Sequence, residues 1–237
     1  MSCGNQNCPF FEFQIDGDQI SEAGLHCNVR DALQDVTFGQ GEVLFSQGQP
    51  SSSLFSLRQG MVKICSHTSD GREQIVGLSS PGNLLVGLQS INDARHAYTA
   101  IAVTPVHACK INHRTLLERV QDRGDVAIRL IQAANAQLAH SRALMEVLGH
   151  KCAAAKIASF ILMMTPKSEH GNCGFAMPFS RGEMASILSM SEETVCRLMA
   201  NMKRSGAIYA PRGKVEIRDW NQLQTISEGN NATSATI

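Results

Sequence analysis

The stretch from Thr37 to Asn112 consists of short apolar runs separated by Gly, Pro and Asp-Gly turns. The candidate strands are Gly41–Phe45, Leu54–Leu57, Met61–Cys65, Gln74–Leu78 and Val106–Ile111. Asp70-Gly71, between two of these runs, is the strongest hairpin signal in the chain. Many short strands joined by close turns fold into a sandwich or a small barrel, and no long helix interrupts them here. This stretch therefore predicts a β-roll within residues 20–121.

A helical pattern replaces the strands over residues 122–150. Its seam, at alternating three- and four-residue spacings, is Ile131, Ala134, Leu138, Ser141, Met145 and Leu148. Such spacings form the a/d seam of a coiled coil, and the small residues Ala134 and Ser141 would let two backbones approach closely. The seam predicts a dimerisation helix. The alternative is that the same stripe packs on the chain's own β domain.

Residues 151–225 predict a second domain, in which two short helices precede a hairpin. The stretch Ser180–Glu183 has the spacing of a capping box at the start of the first helix. After a tight turn, Ser191 caps a second helix that stops at Gly206. The stretch Ile208–Ile217 is a hairpin with a basic tip, which is the shape of a wing. Together these signals predict a winged helix-turn-helix.

The second of these helices presents polar side chains near its N-terminus. Its core-facing residues are Val195, Leu198, Met199 and Met202. Glu193 and Arg197 then share the outer face of this helix. In a major groove, Arg can hydrogen-bond to guanine, and Glu can accept a hydrogen bond from the cytosine amino group. The alternative is a surface salt bridge between the two. The further candidate DNA contacts are Ser191, Thr194, Cys196, Arg181, Lys203, Arg204, Arg212, Lys214 and Arg218.

Charge and hydropathy limit the class of protein. Lys plus Arg and Asp plus Glu both number 21, so the formal net charge is zero and the chain is not basic throughout, as histones are. No apolar run has the length of a transmembrane helix, and the N-terminus lacks the pattern of a signal peptide. We therefore expect a cytoplasmic protein with no membrane partner. The absence of a phosphate-binding loop, of G-x-S-x-G and of H-E-x-x-H argues against an enzyme.

The two ends of the chain differ from its centre. Residues 1–19 form a predicted leader that holds Cys3 and Cys8 in a polar setting. A short helix is predicted over Ser21–Asp35, with apolar residues at four-residue steps on one face. Residues 226–237 are rich in Gly, Asn, Thr and Ser and are predicted to be disordered.

Five stretches, taken together, are highly specific: Phe38–Phe45, Leu57–Lys63, Asp70–Ile75, Pro81–Leu85 and Glu193–Leu198. Through them the chain resembles the CRP/FNR superfamily, the cyclic AMP receptor protein and fumarate–nitrate reduction regulators, over about residues 20–225. The resemblance implies an α+β fold: a cyclic-nucleotide-binding-like β-roll, a long dimerisation helix and a C-terminal winged helix-turn-helix. It also implies a homodimer on an inverted repeat of TTGA-like half-sites, and activation by contact with RNA polymerase, with the Asp70–Ile75 hairpin as the candidate contact.

The effector-binding stretches of this superfamily differ here. Its cyclic-nucleotide members carry a Gly-Glu pair and an Arg-Ser pair, which grip the ribose and the phosphate. The corresponding stretches are Gly82–Leu88 and Ala94–Tyr98, and they contain neither that Glu nor an Arg-Ser pair. We therefore expect no cyclic AMP. The chain is more similar to the oxygen-sensing FNR branch.

Regulators of the FNR branch hold a [4Fe–4S] cluster on three N-terminal cysteines and one cysteine of the β-roll, and four thiolates are the usual ligand set. The resemblance assigns these roles to Cys3, Cys8, Cys27 and Cys109. The leader has C-x4-C rather than the family's tight set of three. Because Cys27 falls within the predicted helix, it could instead be a core residue. Asp16 or Asp18 is then an alternative ligand.

The sequence also leaves other regulatory signals open. A regulatory disulfide between Cys3 or Cys8 and Cys109 would sense redox state without a cluster. Another small effector would need neither device. Haem has little support, since none of the eight histidines shows a ligand spacing, although His107 and His113 lie near Cys109 in the sequence.

Overall fold

The structure is a computed structural model. It describes residues 11–12, 15–16, 19–20, 26–27, 34–67, 73–81, 87, 95–122, 124–165 and 174–229. Contacts divide the chain into two compact units, Met1–Ala139 and His140–Ile237. The Asp70-Gly71 turn and the cysteines Cys3 and Cys8 lie outside the described residues.

The first unit begins with four strands of two residues each. They are β1 (Phe11–Glu12), β2 (Ile15–Asp16), β3 (Gln19–Ile20) and β4 (His26–Cys27). β1 pairs with β4 and β2 with β3, both antiparallel.

Seven longer strands follow. They are β5 (Gln34–Phe38), β6 (Val43–Phe45), β7 (Ser53–Gln59), β8 (Val62–His67), β9 (Glu73–Ser79), β10 (Thr99–Ala102) and β11 (Val106–Asn112). One sheet has the order β6-β10-β8-β9 and the other the order β5-β11-β7. Each neighbouring pair is antiparallel, including β8 with β9 across the predicted hairpin.

The predicted helix over Ser21–Asp35 is wrong where the structure describes it. Cys27 lies in β4, and Asp35 lies in β5 opposite Cys109 of β11. The four-residue spacing of apolar side chains reports only local preference. Pairing with a strand far along the chain outweighs that preference, because the ladder satisfies the backbone polar groups.

The core of this unit lies between its two sheets. Its buried residues are Phe45, Val62, Ala100 and Ala102 from one sheet, and Phe55, Leu57, Val106 and Ala108 from the other. Val106 and Ala108 alternate with the exposed His107 on β11, whereas β7 is buried at every position from Ser53 to Leu57. The predicted β-roll is therefore confirmed as a packed two-sheet unit.

A glycine fixes the turn between β7 and β8. Gly60 has φ +90, and a Cβ built on it would lie 2.3 Å from the carbonyl oxygen of Pro105. Only glycine combines this left-handed conformation with so close an approach of a second backbone segment.

Two helices come next: α1 (His113–Asp122) and α2 (Gly124–Gly149). The sequence pattern does not predict α1, which lies mostly within the range predicted for the β-roll. α2 spans most of the range predicted for the long helix. It begins in the first unit and ends in the second.

The described residues of the second unit form four further helices and three strands. They are α3 (Ala153–Met164), β12 (Gly174–Ala176), α4 (Arg181–Leu188), α5 (Glu192–Arg204), β13 (Ile208–Tyr209), β14 (Lys214–Ile217) and α6 (Trp220–Ser227). The strands form an antiparallel sheet of order β12-β14-β13. Fully buried side chains of α3, α4 and α5, such as Phe160, Met184 and Met199, fill the core. With the first unit, this confirms the predicted α+β fold class.

Candidate nucleic-acid interface

Two capping serines position the helix pair α4–α5. The Ser180 Oγ accepts a hydrogen bond from the Glu183 N–H at 3.2 Å, and the Glu183 carboxylate accepts one from the Ser180 N–H at 2.9 Å. The predicted capping box is thus present. Ser189 between the helices has φ 53, the left-handed region, which turns the chain sharply after α4. Ser191 then begins α5 by accepting from the Thr194 N–H.

α5 has one buried and one exposed face. Val195, Met199 and Met202 are each at most 3% exposed, and they fix the helix on its own unit. Glu193 and Arg197 are both exposed. Within the part of the chain that the structure describes, no ion pair joins them. Both charges therefore remain free to meet a ligand on the outer face of the helix.

The remaining predicted contacts of α5 lie at its two ends. Cys196 is exposed and adjoins Arg197, whereas the Thr194 hydroxyl lies 2.8 Å from the Ser191 hydroxyl, within the helix cap. Lys203 and Arg204 occupy the last turn, where positive charge also complements the helix dipole.

The predicted wing is the hairpin β13–β14. Its turn is closed by the Lys214 N–H donating to the Pro211 carbonyl at 3.2 Å, and Gly213 takes φ +72. Between this turn and the start of α4 lies a groove of roughly 250 Å³. Its basic lining residues are Arg181, Arg212 and Lys214. All three are among the DNA contacts predicted from the sequence. The pairing of β12 with β14 brings them together, which no local sequence pattern shows.

Arg218, also on the wing, has other partners. Its Nε lies 3.1 Å from a carboxylate oxygen of Glu216, and its guanidinium lies 5.4 Å from the ring centre of Tyr209. The Glu216 carboxylate thus offsets the charge of Arg218, which a count of basic residues would assign to the wing.

The predicted seam of α2 leaves apolar side chains exposed in this chain. Ile131 is 61% exposed, Leu138 46% and Met145 59%. Ala134 is also exposed, and Ser141 and Leu148 are half-buried. Ile128 lies one helical turn before Ile131 and is 59% exposed. It extends the stripe beyond the predicted seam. A stripe of this length on one helix is costly to leave in water.

Cys109 is the one predicted cluster ligand whose side chain the structure describes. It is fully buried, the Arg58 Nε–H donates to its Sγ at 2.9 Å, and an Asp35 oxygen lies 3.9 Å from that sulfur. Arg58 is also paired with Asp35. Only the backbone of Cys27 is described. Among the described residues, no three His, Cys, Asp or Glu side chains converge to hold a metal ion. The neighbours Arg58 and Asp35 could not be found from the sequence, because three different strands bring them together.

The two histidines near Cys109 in the sequence have different surroundings. His107 is exposed on β11, and His113 is buried at the start of α1. Of the described helices, none has the length and apolar character needed to cross a membrane.

Two family models match the chain. The cyclic nucleotide-binding domain covers residues 35–123, and the Crp-like helix-turn-helix domain covers residues 155–226. The first corresponds to the β-roll and α1, and the second to α3 through α6.

Curated relatives extend over most of the chain. The chain is 30% identical over 203 residues to the transcriptional activator protein FnrA of Stutzerimonas stutzeri, covering 82% of this chain and 83% of that protein. It is 27% identical to the nitrogen fixation regulation protein FixK of Bradyrhizobium diazoefficiens, covering 81% of each. It is 28% identical to the transcriptional activator protein Anr of Pseudomonas aeruginosa, covering 80% of this chain and 79% of that protein.

Solved structures show the same fold. FixK2 from Bradyrhizobium japonicum superposes with a TM-score of 0.71 at 23% identity, covering 82% of this chain and 96% of that one. A CRP-family transcriptional regulator from Thermus thermophilus superposes with a TM-score of 0.70 at 20% identity, covering 81% and 96%. With the two domain models and the curated relatives, this agreement shows that the chain belongs to the CRP/FNR family of transcriptional regulators, which are not enzymes.

Proposed function

We propose that the protein is a homodimeric transcriptional activator that reads an inverted DNA repeat through α5. The observation that carries the proposal is the exposed edge of this helix. Glu193, Cys196 and Arg197 lie on it, while Val195 and Met199 anchor the opposite face. A recognition helix needs this division, because its N-terminal side chains must reach base edges without loosening the domain.

Each of the three exposed side chains suits a different base. The Arg197 guanidinium can donate two hydrogen bonds to guanine O6 and N7, and the Glu193 carboxylate can accept from a cytosine amino group. The Cys196 thiol is a weak donor, so its better partner is a thymine methyl group. These contacts agree with the TTGA-like half-site that the family resemblance implies, and Cys196 affects the outer bases.

The groove beside α4 would hold the DNA backbone. Arg181, Arg212 and Lys214 line it, and Arg181 is the first residue of α4. Cations and helix N-termini are the usual phosphate ligands. Such contacts fix the register of α5 in the major groove and make binding depend on salt.

A second copy of the chain would cover the stripe on α2. Ile131, Leu138 and Met145 recur at seven-residue intervals and are all exposed in the single chain. Burying side chains of this type stabilises an association by about 1.5–3 kcal/mol each before entropy is subtracted. Two-fold pairing of this helix would present two copies of α5 to half-sites one helical turn apart.

The test of DNA reading is an affinity comparison on two DNAs. Arg197→Ala should lose about 1–3 kcal/mol on a TTGA-type inverted repeat and relax discrimination at one G·C pair, while changing affinity for random DNA little. Arg142→Ala, at another exposed arginine on α2, is the matched control and should change neither affinity. Fluorescence anisotropy with labelled duplexes measures the affinity of the wild type and of each variant for both DNAs. Equal losses on both DNAs would show that Arg197 does not read a base.

We further propose that oxygen controls this activity through a [4Fe–4S] cluster on Cys109 and the cysteines Cys3, Cys8 and Cys27. One ligand can be tested for fit. Cys109 is screened from water, and the Arg58 N–H aimed at its sulfur favours the thiolate that a cluster requires. When bound, the cluster would supply an oxygen-labile redox centre. The chain's own part is to keep one sulfur at a fixed place on β11.

A second candidate is a disulfide between Cys109 and Cys3 or Cys8. The Arg58 contact favours it, because a thiolate is also the reactive form in disulfide exchange. Anaerobic purification with iron and sulfide assays separates the two. About four irons per chain, lost in air together with operator binding, support the cluster. An iron-free protein that still binds DNA supports the disulfide, which peptide mapping would then locate.

Two family properties complete the proposal. We expect no response to cyclic AMP. The Arg95 guanidinium donates to the Gly48 carbonyl at 2.6 Å, and the next residue, His96, is buried against Phe45.

We propose that activation occurs through a contact between RNA polymerase and the tip of the β8–β9 hairpin. We expect the protein to act in the cytoplasm.

A further inference from the structure

Two buried histidines of the β-roll unit each carry a ring nitrogen that lacks a hydrogen-bond partner among the described residues. His96 is 5% exposed and His113 is 8% exposed. The unpartnered atoms are Nδ1 of His96 and Nε2 of His113. Buried polar atoms are normally hydrogen-bonded, so two of them in one unit need a physical reason.

The ring of His96 is held against β6. It stacks on Phe45 with the ring centres 3.8 Å apart and the planes inclined by 13°. The backbone of His96 donates to the Gln49 carbonyl at 2.9 Å and accepts from the Gly48 N–H at 2.8 Å. Because the backbone is also fixed, the ring can turn towards water only by losing its stack on Phe45.

The ring of His113 is held from β7. The backbone of Ser53 hydrogen-bonds the ring, and since Nε2 has no partner, Nδ1 makes this bond. The Ser53 carbonyl also faces Gly87, where an added Cβ would lie 3.2 Å from that oxygen and 3.7 Å from Cε1 of His96. Ser53 and Gly87 thus connect the surroundings of the two rings.

Both rings are held neutral by their surroundings. Burial lowers the pKa of His96, and the neighbouring His113 lowers it further. Burial also lowers the pKa of His113, against the opposing effect of its Ser53 hydrogen bond. No described carboxylate pairs with either ring.

Charged groups around the two histidines are engaged with other partners. Arg95, next to His96, binds the Gly48 carbonyl, and Arg114, next to His113, pairs with Glu118 at 3.2 Å. His67 ends β8 and Glu73 begins β9, and the His67 Nε2 lies 4.0 Å from a carboxylate oxygen of Glu73. None of these groups supplies a negative charge to a protonated His96 or His113.

We propose that His96 and His113 form an acid-sensitive lock on the β-roll, which is closed while both rings are neutral and opens when either takes up a proton. Among the described residues the new N–H would have no acceptor and the new charge no partner, so the ring must leave its site. Release of His96 frees Phe45 and β6, and release of His113 frees the junction of β11 with α1. This input goes beyond DNA reading and redox control, and it depends on neither.

The direction of the pH effect follows from linkage. The folded pKa of each histidine lies below the unfolded value of about 6.5, so the unfolded chain binds more protons in the window between them. The contribution to stability is therefore complete above pH 6.5 or so and is lost as the pH falls below it. Each histidine lowers the folding equilibrium constant by up to about tenfold per pH unit in that window.

Proton NMR of the ring Cε1–H signals in the full-length protein tests the first step. His96 and His113 should both titrate below the ordinary histidine value of about 6.5, with signals assigned from single variants. Titration of both rings at or above that value would overturn the proposal. This measurement uses the wild-type chain and does not depend on a variant that folds.

Urea unfolding from pH about 7.5 to about 5.5, on either side of the ordinary histidine pKa, tests the second step. The double variant H96F/H113Q keeps a ring on Phe45 and a donor for Ser53 but removes both titrating groups. It should lose less of its folding equilibrium constant over this range than the wild type. His107→Gln, which replaces an exposed histidine of β11, should keep the wild-type slope. Equal slopes for all three proteins would show that the pair is not the acid sensor.

Discussion

The Arg58 Nε–H donates to the Cys109 Sγ over 2.9 Å, and the same guanidinium is paired with Asp35. A buried sulfur thereby lies between a cation and an anion on adjacent strands. The cation stabilises negative charge on sulfur and offsets the carboxylate, whose oxygen is 3.9 Å away. The chemistry of Cys109 thus depends on Arg58.

The first prediction follows from that contact. Arg58→Gln should lower iron retention after anaerobic reconstitution by about tenfold or more, because the carboxylate of Asp35 would then act on the sulfur unopposed. Stability should change by less than about 1 kcal/mol, since the side chains of Arg58 and Asp35 are 30% and 64% exposed. Release of iron to a chelator and urea unfolding measure the two effects.

Arg58→Lys is the matched control for this prediction. It keeps the positive charge and should retain more iron than the Gln variant. Iron retention equal to that of the wild type in both variants would mean that Arg58 does not act on the sulfur. A large loss of stability in the Gln variant would instead assign Arg58 a structural role.

The second prediction concerns the turn between β7 and β8. Gly41 and Gly60 both have positive φ, +85 and +90, but only at Gly60 would a Cβ meet backbone, 2.3 Å from the Pro105 carbonyl oxygen. Gly41→Ala should cost about 1 kcal/mol, from the left-handed conformation alone. Gly60→Ala should cost roughly 3 kcal/mol or more, because the clash adds to that strain. Urea unfolding of both variants gives the difference, and equal costs would contradict the close approach.

The sequence was a good guide wherever local chemistry decides the structure. The capping box of Ser180 and Glu183 is read directly from the spacing of two residues. The cap at Ser191 and the two faces of α5 follow from the same short-range rules. These short-range features predict α5 and its two faces without any tertiary contact.

The sequence was a poor guide where a distant partner decides. The helix predicted over Ser21–Asp35 is wrong at Asp35 because β5 pairs with β11. α6 was missed, although Asp219 is a normal N-cap that accepts from the Gln222 N–H. The Cys109 site, the basic groove and the His96–His113 pair each combine residues from separate elements. Only the fold brings such residues together, so no spacing in the sequence announces them.

The third prediction addresses the stripe on α2. Leu138→Asp would place a carboxylate in the middle of the proposed dimer seam, where desolvating it costs more than the lost apolar contact. The variant should be a monomer in sedimentation experiments at concentrations where the wild type is a dimer, and its operator affinity should fall. Gln132→Asp, at an exposed position of α2 away from the seam, adds the same charge and should remain dimeric. A dimeric Leu138→Asp protein would remove α2 as the interface.

The last prediction separates two kinds of basic residue on the wing. Lys214 lines the groove beside α4, whereas Arg218 is paired with Glu216 at 3.1 Å and stacks on Tyr209. If Lys214 binds a phosphate, Lys214→Ala should weaken binding to specific and random DNA alike and reduce the salt slope by about 1. Arg218→Ala should change that slope less, because the charge of Arg218 is already offset by Glu216. Affinities across a series of salt concentrations give both slopes. A larger effect at Arg218 than at Lys214 would move the phosphate contact away from the groove and onto the outer face of the wing.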